Sequence, residues 1–238
     1  MRRALHVEWT KLRTVRGTGW LLLAVVVLTV GLSVLADAAD GGTARDSAKV
    51  ALTGVQVGQA VVAVLAVLAM GGEYASGMIK VTLTALPRRV TVLVAKAAVV
   101  GGLVLVAAAA AVFACAAAGG LSLTSGPVLR ATAGSVLYLV LVGLLSLGVA
   151  TTVRDTAAAI GIVLGLLYVF PIVASVVGDP DWYRHLQQIG PMTAGLAIQV
   201  TAGVDTLPIA PWAGLGVLAA WAAAALGAGG LALHLRDA

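Results

Sequence analysis

Six apolar runs divide the chain, and polar or glycine- and proline-containing segments separate them. Most runs are close to the roughly twenty residues that an α-helix needs to cross the hydrocarbon core of a bilayer. We therefore predict an all-α, polytopic membrane protein with one transmembrane domain over residues 1–238. The predicted spans cover about residues 20–36, 50–70, 92–121, 131–152, 157–177 and 211–233.

The composition agrees with this pattern. Hydrophobic residues make up 61% of the chain and charged residues 11%, and the mean hydropathy is +1.05. Soluble domains are usually about 45–50% apolar and about 25% charged. So few charges could not cover the surface of a water-soluble fold, and the lipid bilayer is the expected environment. The net charge of +5 comes from Lys and Arg beside the apolar runs, which indicates membrane topology rather than nucleic-acid binding.

The first seventeen residues are predicted to form an amphipathic helix before the first span. Leu5, Trp9 and Leu12 recur at intervals of four and three residues and so share one helical face, whereas Lys11 and Arg13 lie mostly off it. Such a helix can rest in the headgroup layer, with Trp9, Lys11 and Arg13 as interfacial anchors. The alternative is a solvated basic tail.

The second run carries a polar face. Thr53, Gln56 and Gln59 are spaced three apart, and Gly54 and Gly58 have the GxxxG spacing that lets helices approach closely. The polar side chains either form a hydrogen-bonded seam between helices or line a substrate path. The sequence leaves both interpretations open.

The fifth run contains Pro171, which should kink or end its helix. A long connection follows, from residue 178 to residue 210. Its central stretch, MTAGLAIQV at 192–200, is apolar but too short to span the bilayer. We predict a short re-entrant or surface helix there.

The distribution of basic residues predicts the orientation of the spans. If both termini are cytoplasmic, eleven of the fifteen Lys and Arg residues fall in inside segments and four in outside segments. Cytoplasmic loops of membrane proteins carry an excess of Lys and Arg. We therefore expect both termini, and residues 71–91, to lie in the cytoplasm.

Ionisable residues are missing from the middle of the predicted spans. No Asp, Glu, Arg or His lies deep within a run, whereas ion-coupled carriers need such groups near mid-membrane. Lys96, near the start of the third span, is expected to snorkel toward the headgroups. Paired in-span Asp residues and a span His that could activate a Ser are also missing, which argues against an intramembrane protease. No catalytic residue is therefore assigned.

The chain also lacks the motifs of metal and nucleotide sites. Cys115 is the single cysteine and the three His are scattered, so we predict neither an internal disulfide nor a metal site. No GxxxxGK[ST] phosphate loop occurs, so the chain is not expected to hydrolyse ATP by itself. A polytopic protein of this kind is a passive channel, a scaffold, or the membrane half of a pump whose motor is a separate chain. The last option predicts a structured cytoplasmic element between two spans.

The segment between the second and third spans fits such an element. Its Gly71-Gly72 pair can break the second span, and the residues that follow can form a short helix. Pro87 can stop that helix and start the return, with Arg88 and Arg89 at the headgroups. The alternative is a basic loop that only fixes the topology.

Four stretches resemble the membrane subunits of ABC-2 type ABC transporters, particularly the short permeases of high-GC bacteria. The central stretch GGEYASGMIKVTLTALPRRVTVLVAK, at 71–96, is the most specific, and the resemblance covers essentially the whole chain. The other three are EWTKLRT at 8–14, RDTAAAIGIVLGLLYVFP at 154–171 and RDA at 236–238.

The resemblance implies one half of an ATP-driven exporter in the bacterial plasma membrane. The amphipathic start would be the family's connecting helix, and the loop after the second span its coupling helix, which docks on a separate ATPase subunit. That partner would bind ATP and Mg²⁺, so no cofactor is expected in this chain. A second permease copy, identical or paralogous, would complete the pathway as a dimer. The coupling residues implied by the motif are Glu73, Tyr74, Gly77, Lys80, Pro87, Arg88 and Arg89.

Two other classes of function stay open on the sequence. A standalone channel or secondary carrier would transport its substrate without nucleotide. A non-transporting membrane anchor or immunity component would bind its partner without any substrate-dependent ATP hydrolysis.

Overall fold

The structure is a computed structural model that describes residues 2–14, 16–44, 46–79, 89–176 and 178–235. These residues form helices and connecting turns, with no strand among them. Six helical segments of this part of the chain are long and apolar enough to cross a membrane. The predicted all-α architecture with six transmembrane helices is therefore confirmed.

A short amphipathic helix, α1 (Arg2–Thr14), precedes the six long segments. Two of these segments consist of two consecutive helices each, and each of the six overlaps one predicted span. The long segments are α2 (Arg16–Asp40), α3 with α4 (Ser47–Ala51 and Val55–Ala75), α5 (Arg89–Ala118), α6 (Gly126–Val153), α7 with α8 (Thr156–Leu164 and Phe170–Ser175) and α11 (Pro211–Leu235). The helices α9 (Pro180–Ile189) and α10 (Pro191–Leu196) lie in the connection before α11.

The long segments alternate in direction, which gives the bundle two ends. One end holds α1, the last turns of α4, α6 and α11, and the first turn of α5, and we call it the α1 end. α4 and α6 occupy the centre of the bundle, where α6 packs against α4, α5, α7 and α11. Their neighbours α2, α7 and α11 are more exposed, as expected for helices that face lipid.

Proline and aspartate mark several helix starts. Pro127, Pro180 and Pro191 occupy the first or second position of α6, α9 and α10, where the missing N–H would have no intrahelical partner. Asp155 and Asp179 precede α7 and α9, and their carboxylates accept hydrogen bonds from backbone N–H groups of the first turn. These prolines and aspartates thus set the positions at which new helices begin between the apolar runs.

α2 and α4 pack closely at Gly54 and Gly58, as the GxxxG spacing predicted. A Cβ atom on Gly54 would lie 1.9 Å from the backbone oxygen of Thr29, and one on Gly58 would lie 2.2 Å from the Thr29 hydroxyl. The Gly54 N–H donates a hydrogen bond of 3.0 Å to Ser33 Oγ. The missing side chains therefore let a backbone group of one helix pair with a side chain of the other.

The fifth long segment accommodates Pro171 through a π turn. Proline has no N–H, and its ring crowds the carbonyl four residues earlier, so the regular α-helical ladder cannot continue through it. Residues Gly165–Val169 form a π turn, in which the Phe170 N–H donates to Gly165 O, five residues earlier. The helix then runs on to Ser175. The wider turn re-satisfies the backbone ahead of the proline, so Pro171 does not end the segment.

The connection before α11 turns back into the bundle. α9 has no buried residue, whereas α10 and the 3₁₀ turn after it, Ala197–Gln199, are buried against α6 and α11. Trp221 Nε1 donates to Ile189 O at 2.9 Å. Trp221 is ten residues into α11, which is about 15 Å along a helix. The predicted short helix therefore has the form of a re-entrant segment.

Asp46 fastens this connection to the start of α3. Its carboxylate accepts from the backbone N–H groups of Thr201 at 2.6 Å, Ala202 at 3.0 Å and Lys49 at 3.1 Å, and from the Thr201 hydroxyl at 2.7 Å. Burial disfavours the ionised form, but the hydrogen bonds donated by Ala202, Thr201 and Lys49 outweigh it and lower the pKa of Asp46. Asp46 therefore stays ionised at neutral pH and joins two connections at the end opposite α1.

Candidate functional site

Four charged side chains from three helices meet at the α1 end. Glu8 and Lys11 come from α1, Glu73 from the last turn of α4 and Lys96 from α5, and we call them the charge cluster. Lys96 Nζ lies 2.5 Å from Glu8 Oε2 and 2.8 Å from Glu73 Oε1. Lys11 Nζ lies 3.2 Å from Glu8 Oε1 and 3.0 Å from Glu73 Oε1. Each ammonium thus contacts both carboxylates, and the four formal charges cancel.

Three members of the charge cluster are withdrawn from solvent. Glu8 and Lys96 are each 1% exposed, and Glu73 is 7% exposed. A buried charge is costly unless it is paired and hydrogen-bonded. The Lys96 ammonium has three N–H groups, and it donates to Glu8, to Glu73 and to the backbone oxygen of Ala69 at 3.3 Å. Its donors are therefore all used, which makes its burial tolerable.

The expectation that Lys96 snorkels toward the headgroups is wrong. α1 packs against α5 and covers the part of the helix from which Lys96 projects. α1 also supplies the carboxylate of Glu8, which neutralises the Lys96 ammonium inside the bundle. The Lys96 side chain therefore does not extend to the solvent. A buried ionic site thus exists close to one end of the bundle, where the sequence suggested only a lysine at a membrane surface.

α1 presents Glu8 on its buried face. Ala4, Glu8 and Leu12 are four residues apart and all buried, whereas Trp9 is 46% exposed. The buried stripe is therefore rotated from the predicted apolar face of Leu5, Trp9 and Leu12. Sequence reasoning missed Glu8 as a site residue. The sequence does carry a signal for Glu8. Glu8 is the single acid among the first seventeen residues, and it falls between two buried apolar positions at helical spacing.

The three residues predicted as interfacial anchors have different surroundings in the structure. Lys11 joins the charge cluster, whereas Trp9 and Arg13 are exposed. Burial disfavours the Lys11 ammonium, but the hydrogen bond and charge of Glu73, followed by those of Glu8, outweigh it and raise the pKa of Lys11. Lys11 therefore keeps its charge at neutral pH, and contact with lipid headgroups stays a prediction for Trp9 and Arg13.

Two arginines at the α1 end bind the last turn of α11. Arg89 Nη1 donates to Leu233 O at 2.6 Å, and Arg154 Nη2 donates to Ala232 O at 2.9 Å. The last carbonyls of a helix lack intrahelical donors, and cations are favourable at this end of the helix dipole. Arg89, one of the predicted coupling residues, thus ties the start of α5 to the end of α11.

The other predicted coupling residues lie in different surroundings. Glu73 belongs to the charge cluster and lies in α4, which continues through Gly71-Gly72 to Ala75, so the expected break of the second span at that pair is wrong. Tyr74 is partly buried, its hydroxyl donates to Thr151 O at 3.3 Å, and the Arg154 guanidinium lies 5.6 Å from its ring centroid. Gly77 follows the end of α4 with a φ of +68°, a conformation that strains most side chains and that suits glycine after a helix. Lys80, Pro87 and Arg88 lie outside the described residues.

The three polar residues predicted to share one face of the second span differ in their contacts. Gln59 is fully buried, it accepts a hydrogen bond from the Tyr138 hydroxyl, and its Nε2 lies 3.3 Å from Met192 Sδ. The Thr53 hydroxyl donates to a carbonyl four residues earlier, and the Gln56 backbone oxygen accepts from a tyrosine of the fifth segment. The contacts of Gln59 fit the interhelical seam, whereas the hydroxyl bond of Thr53 is local and the contact of Gln56 is made by its backbone. A role of the three residues in lining a substrate path stays a prediction.

Within the described residues, no group of three or more His, Cys, Asp or Glu side chains is placed to hold a metal ion. The carboxylates of the charge cluster face ammonium groups and are already neutralised. The charge cluster can have a mechanical role, because it holds the last turn of α4, the start of α5 and the helix α1 together at the α1 end.

Comparison with models of known protein families matches the chain to one family. The family model described as ABC-2 family transporter protein matches residues 4–177, which include most of α1, the charge cluster and five of the six long segments. No match was found among curated proteins. The family match covers well over half of the chain, and the chain therefore belongs to the ABC-2 family of membrane transporter proteins.

Proposed function

We propose that the chain is the membrane-spanning permease subunit of an ATP-driven ABC-2 type exporter in the bacterial plasma membrane. Family membership supports a part in membrane transport. The sequence has no phosphate loop, so the energy would come from a separate ATPase that binds ATP and Mg²⁺. A second permease copy would complete the substrate path, with both termini and the α1 end in the cytoplasm.

The charge cluster is the observation that carries this proposal. Glu73 and Lys96 flank the segment 80–88, and their side chains are joined to each other and to Glu8 of α1. A force on the 71–91 loop would therefore move the ends of α4 and α5 together with α1. Separating them would expose buried, unpaired charges, and this cost makes the connection stiff.

The arginine contacts extend the connection to the rest of the bundle. Arg89 at the start of α5 and Arg154 after α6 both bind the end of α11. In the proposed mechanism, ATP-driven closure of the ATPase pair pushes the 71–91 loop of each permease copy. The helix ends shift as a unit, and access to the substrate path changes from one side of the membrane to the other.

Reversing the charge at Arg88 should uncouple the permease from its ATPase. Arg88 belongs to the 71–91 segment that we expect to contact the ATPase, and a reversed charge there would replace an attraction with a repulsion. Arg88→Glu should lower ATPase co-purification and substrate-stimulated hydrolysis by about tenfold or more. Arg184→Glu is the matched control, because Arg184 is exposed on α9 at the opposite end of the bundle, and it should leave both quantities unchanged.

The ATPase to use is the chain with a phosphate loop encoded next to this one, co-expressed and reconstituted with the permease in proteoliposomes. Equal amounts of both variants in the membrane control for insertion. Unchanged hydrolysis and co-purification in Arg88→Glu would refute the coupling role of the loop. Transport without nucleotide would favour a channel or secondary carrier, and ATPase binding without substrate-stimulated hydrolysis would favour an anchor.

A further inference from the structure

The helix α9 is amphipathic, and the bundle leaves its apolar face uncovered. Trp182, Leu186 and Ile189 follow one another at intervals of four and three residues and so share one helical face, with Arg184 and Gln187 on the other side. None of the ten residues of α9 is buried, and Trp182 is 62% and Ile189 41% exposed. An apolar helix face usually packs on a core or on a membrane, so this face calls for a partner.

The polar side of α9 faces the loop that leads into α11. Arg184, Gln187 and Gln188 line a groove together with residues 205–208 of this loop. Gln188 Nε2 donates a hydrogen bond of 2.7 Å to Pro208 O. The apolar face lies on the opposite side of the helix and therefore points away from the loop.

The contact with Trp221 sets the depth of α9. Ile189 O accepts from Trp221 Nε1 at 2.9 Å, and Trp221 lies ten residues after Pro211, the first residue of α11. Side chains of a helix lean toward its N-terminus, so this contact lies less than about 15 Å along α11 from its start. The end of α9 is thus within the depth that α11 spans, whereas the 205–208 loop precedes α11. The apolar face, which is opposite the loop, is therefore on the membrane side of α9.

The apolar face of α9 also continues the lipid-facing surface of the fifth long segment. Ile172 in α8 is 63% exposed and Val176 after it is 79% exposed, and α9 begins four residues after Val176. Trp212 at the start of α11 is 57% exposed at the same end of the bundle as Trp182. Tryptophan is enriched where a membrane meets water. These neighbours indicate lipid, rather than water, as the surroundings of the apolar face.

The charges of α9 favour contact with acyl chains over attraction to anionic head groups. Asp179 and Asp181 stand at the start of the helix, and Arg184 is its single basic residue apart from His185. Helices that bind anionic lipid electrostatically carry an excess of Lys and Arg on their polar face. The attachment of α9 would therefore depend on its apolar side chains and not on the charge of the lipid.

We propose that α9 lies in the headgroup layer of the leaflet at the end opposite α1, with Trp182, Leu186 and Ile189 inserted among the acyl chains. The Arg184 side of the helix faces water. α9 continues through Gly190 into α10, which is buried against α6 and α11. The lipid contact thus anchors the re-entrant segment to the membrane surface. The surface belongs to one chain, so its test needs no ATPase and its failure would leave the proposed permease function untouched.

Nitroxide labels on single introduced cysteines test this placement in the full-length protein in phosphatidylcholine nanodiscs. Trp182→Cys, Leu186→Cys and Ile189→Cys sample the apolar face, and Arg184→Cys is the matched control on the other face. α9 has no buried residue, so these changes leave the core intact. Electron paramagnetic resonance measures collisions of each label with oxygen, which enters acyl chains, and with a polar nickel chelate, which does not. The three apolar-face labels should collide mainly with oxygen, at about 5–10 Å below the lipid phosphates, and the Arg184→Cys label mainly with nickel.

Two reference labels calibrate the measurement. Val106→Cys marks lipid, because Val106 is 71% exposed within α5. Thr124→Cys marks water, because Thr124 is exposed in the turn between α5 and α6. The wild-type chain gives the background, since Cys115 is buried. Nanodiscs that also contain phosphatidylglycerol should give the same depths.

Three results would overturn the proposal. Nickel collisions at the three apolar-face labels as frequent as at Thr124→Cys would mean that α9 projects into water. Low accessibility of these labels to both reagents would mean that protein, such as a second copy of the chain, covers the face. Insertion that occurs only with phosphatidylglycerol would mean that anionic head groups hold the helix instead of its apolar side chains.

Discussion

Lys96→Met should lower the free energy of unfolding by about 3–5 kcal/mol. Methionine keeps most of the length and apolar volume of the side chain but removes its charge. Glu8 and Glu73 would then stay buried with Lys11 as their remaining partner in the cluster, and one negative charge would be uncompensated. Removing one member of a buried ion pair is costly for this reason.

Thermal and denaturant unfolding of the purified protein in nanodiscs would measure this loss. Lys49→Met is the matched control, because Lys49 is exposed in the short helix α3. The double variant Glu8→Gln with Lys96→Met leaves Glu73 and Lys11 as a neutral pair, so it should be more stable than Lys96→Met alone. Two findings would contradict the role given to the cluster: equal losses in Lys96→Met and Lys49→Met, or strictly additive losses in the double variant.

Gly54→Ala should destabilise the protein by about 1–3 kcal/mol or more. The added Cβ would lie 1.9 Å from the Thr29 oxygen and 2.8 Å from the Thr29 carbonyl carbon. Both are backbone atoms, which cannot rotate away as a side chain can. α2 and α4 would have to separate, and the hydrogen bond from the Gly54 N–H to Ser33 would be lost.

Three glycine-to-alanine variants with different surroundings test this prediction through the order of their stabilities. Gly58→Ala should cost less than Gly54→Ala, because its neighbour is the Thr29 hydroxyl, which can rotate. Gly31→Ala lies in α2 with open surroundings, so it should keep or raise the stability, since alanine is the better helix former. Midpoints of thermal unfolding for the three variants give the order. Equal midpoints for Gly54→Ala and the wild type would mean that the two helices do not pack in this way.

The features that the sequence predicted well are local. Each apolar run overlaps one long helical segment because hydrophobicity and length alone select a span. The close approach of α2 and α4 followed from the spacing of Gly54 and Gly58 within a single run. Pro171 predicted a disturbance of the helix, but either a π turn or a break can accommodate a residue that lacks a backbone N–H. Packing against the neighbouring helices then decides whether a π turn or a break forms.

The charge cluster could not be predicted, because it depends on distant contacts. Lys96 and Glu8 are 88 residues apart, and their pairing requires that α1 packs on α5 with Glu8 facing inward. Lys11 and Glu73 meet across a separation of 62 residues. The sequence showed isolated acids within basic segments, which is a signal of pairing but does not name the partner.

Site-specific cross-linking tests most directly whether the 71–91 loop contacts a separate ATPase. Thr84→Cys places a thiol in the loop, and Ser122→Cys places one in the turn between α5 and α6, at the opposite end of the bundle. The wild-type chain sets the background, because its single cysteine, Cys115, is buried. With a thiol-to-amine cross-linker and the co-expressed ATPase in inside-out vesicles, Thr84→Cys should give a permease–ATPase adduct and Ser122→Cys should give none. An adduct from Ser122→Cys alone, or no adduct from Thr84→Cys while the ATPase stays bound, would contradict the proposed contact.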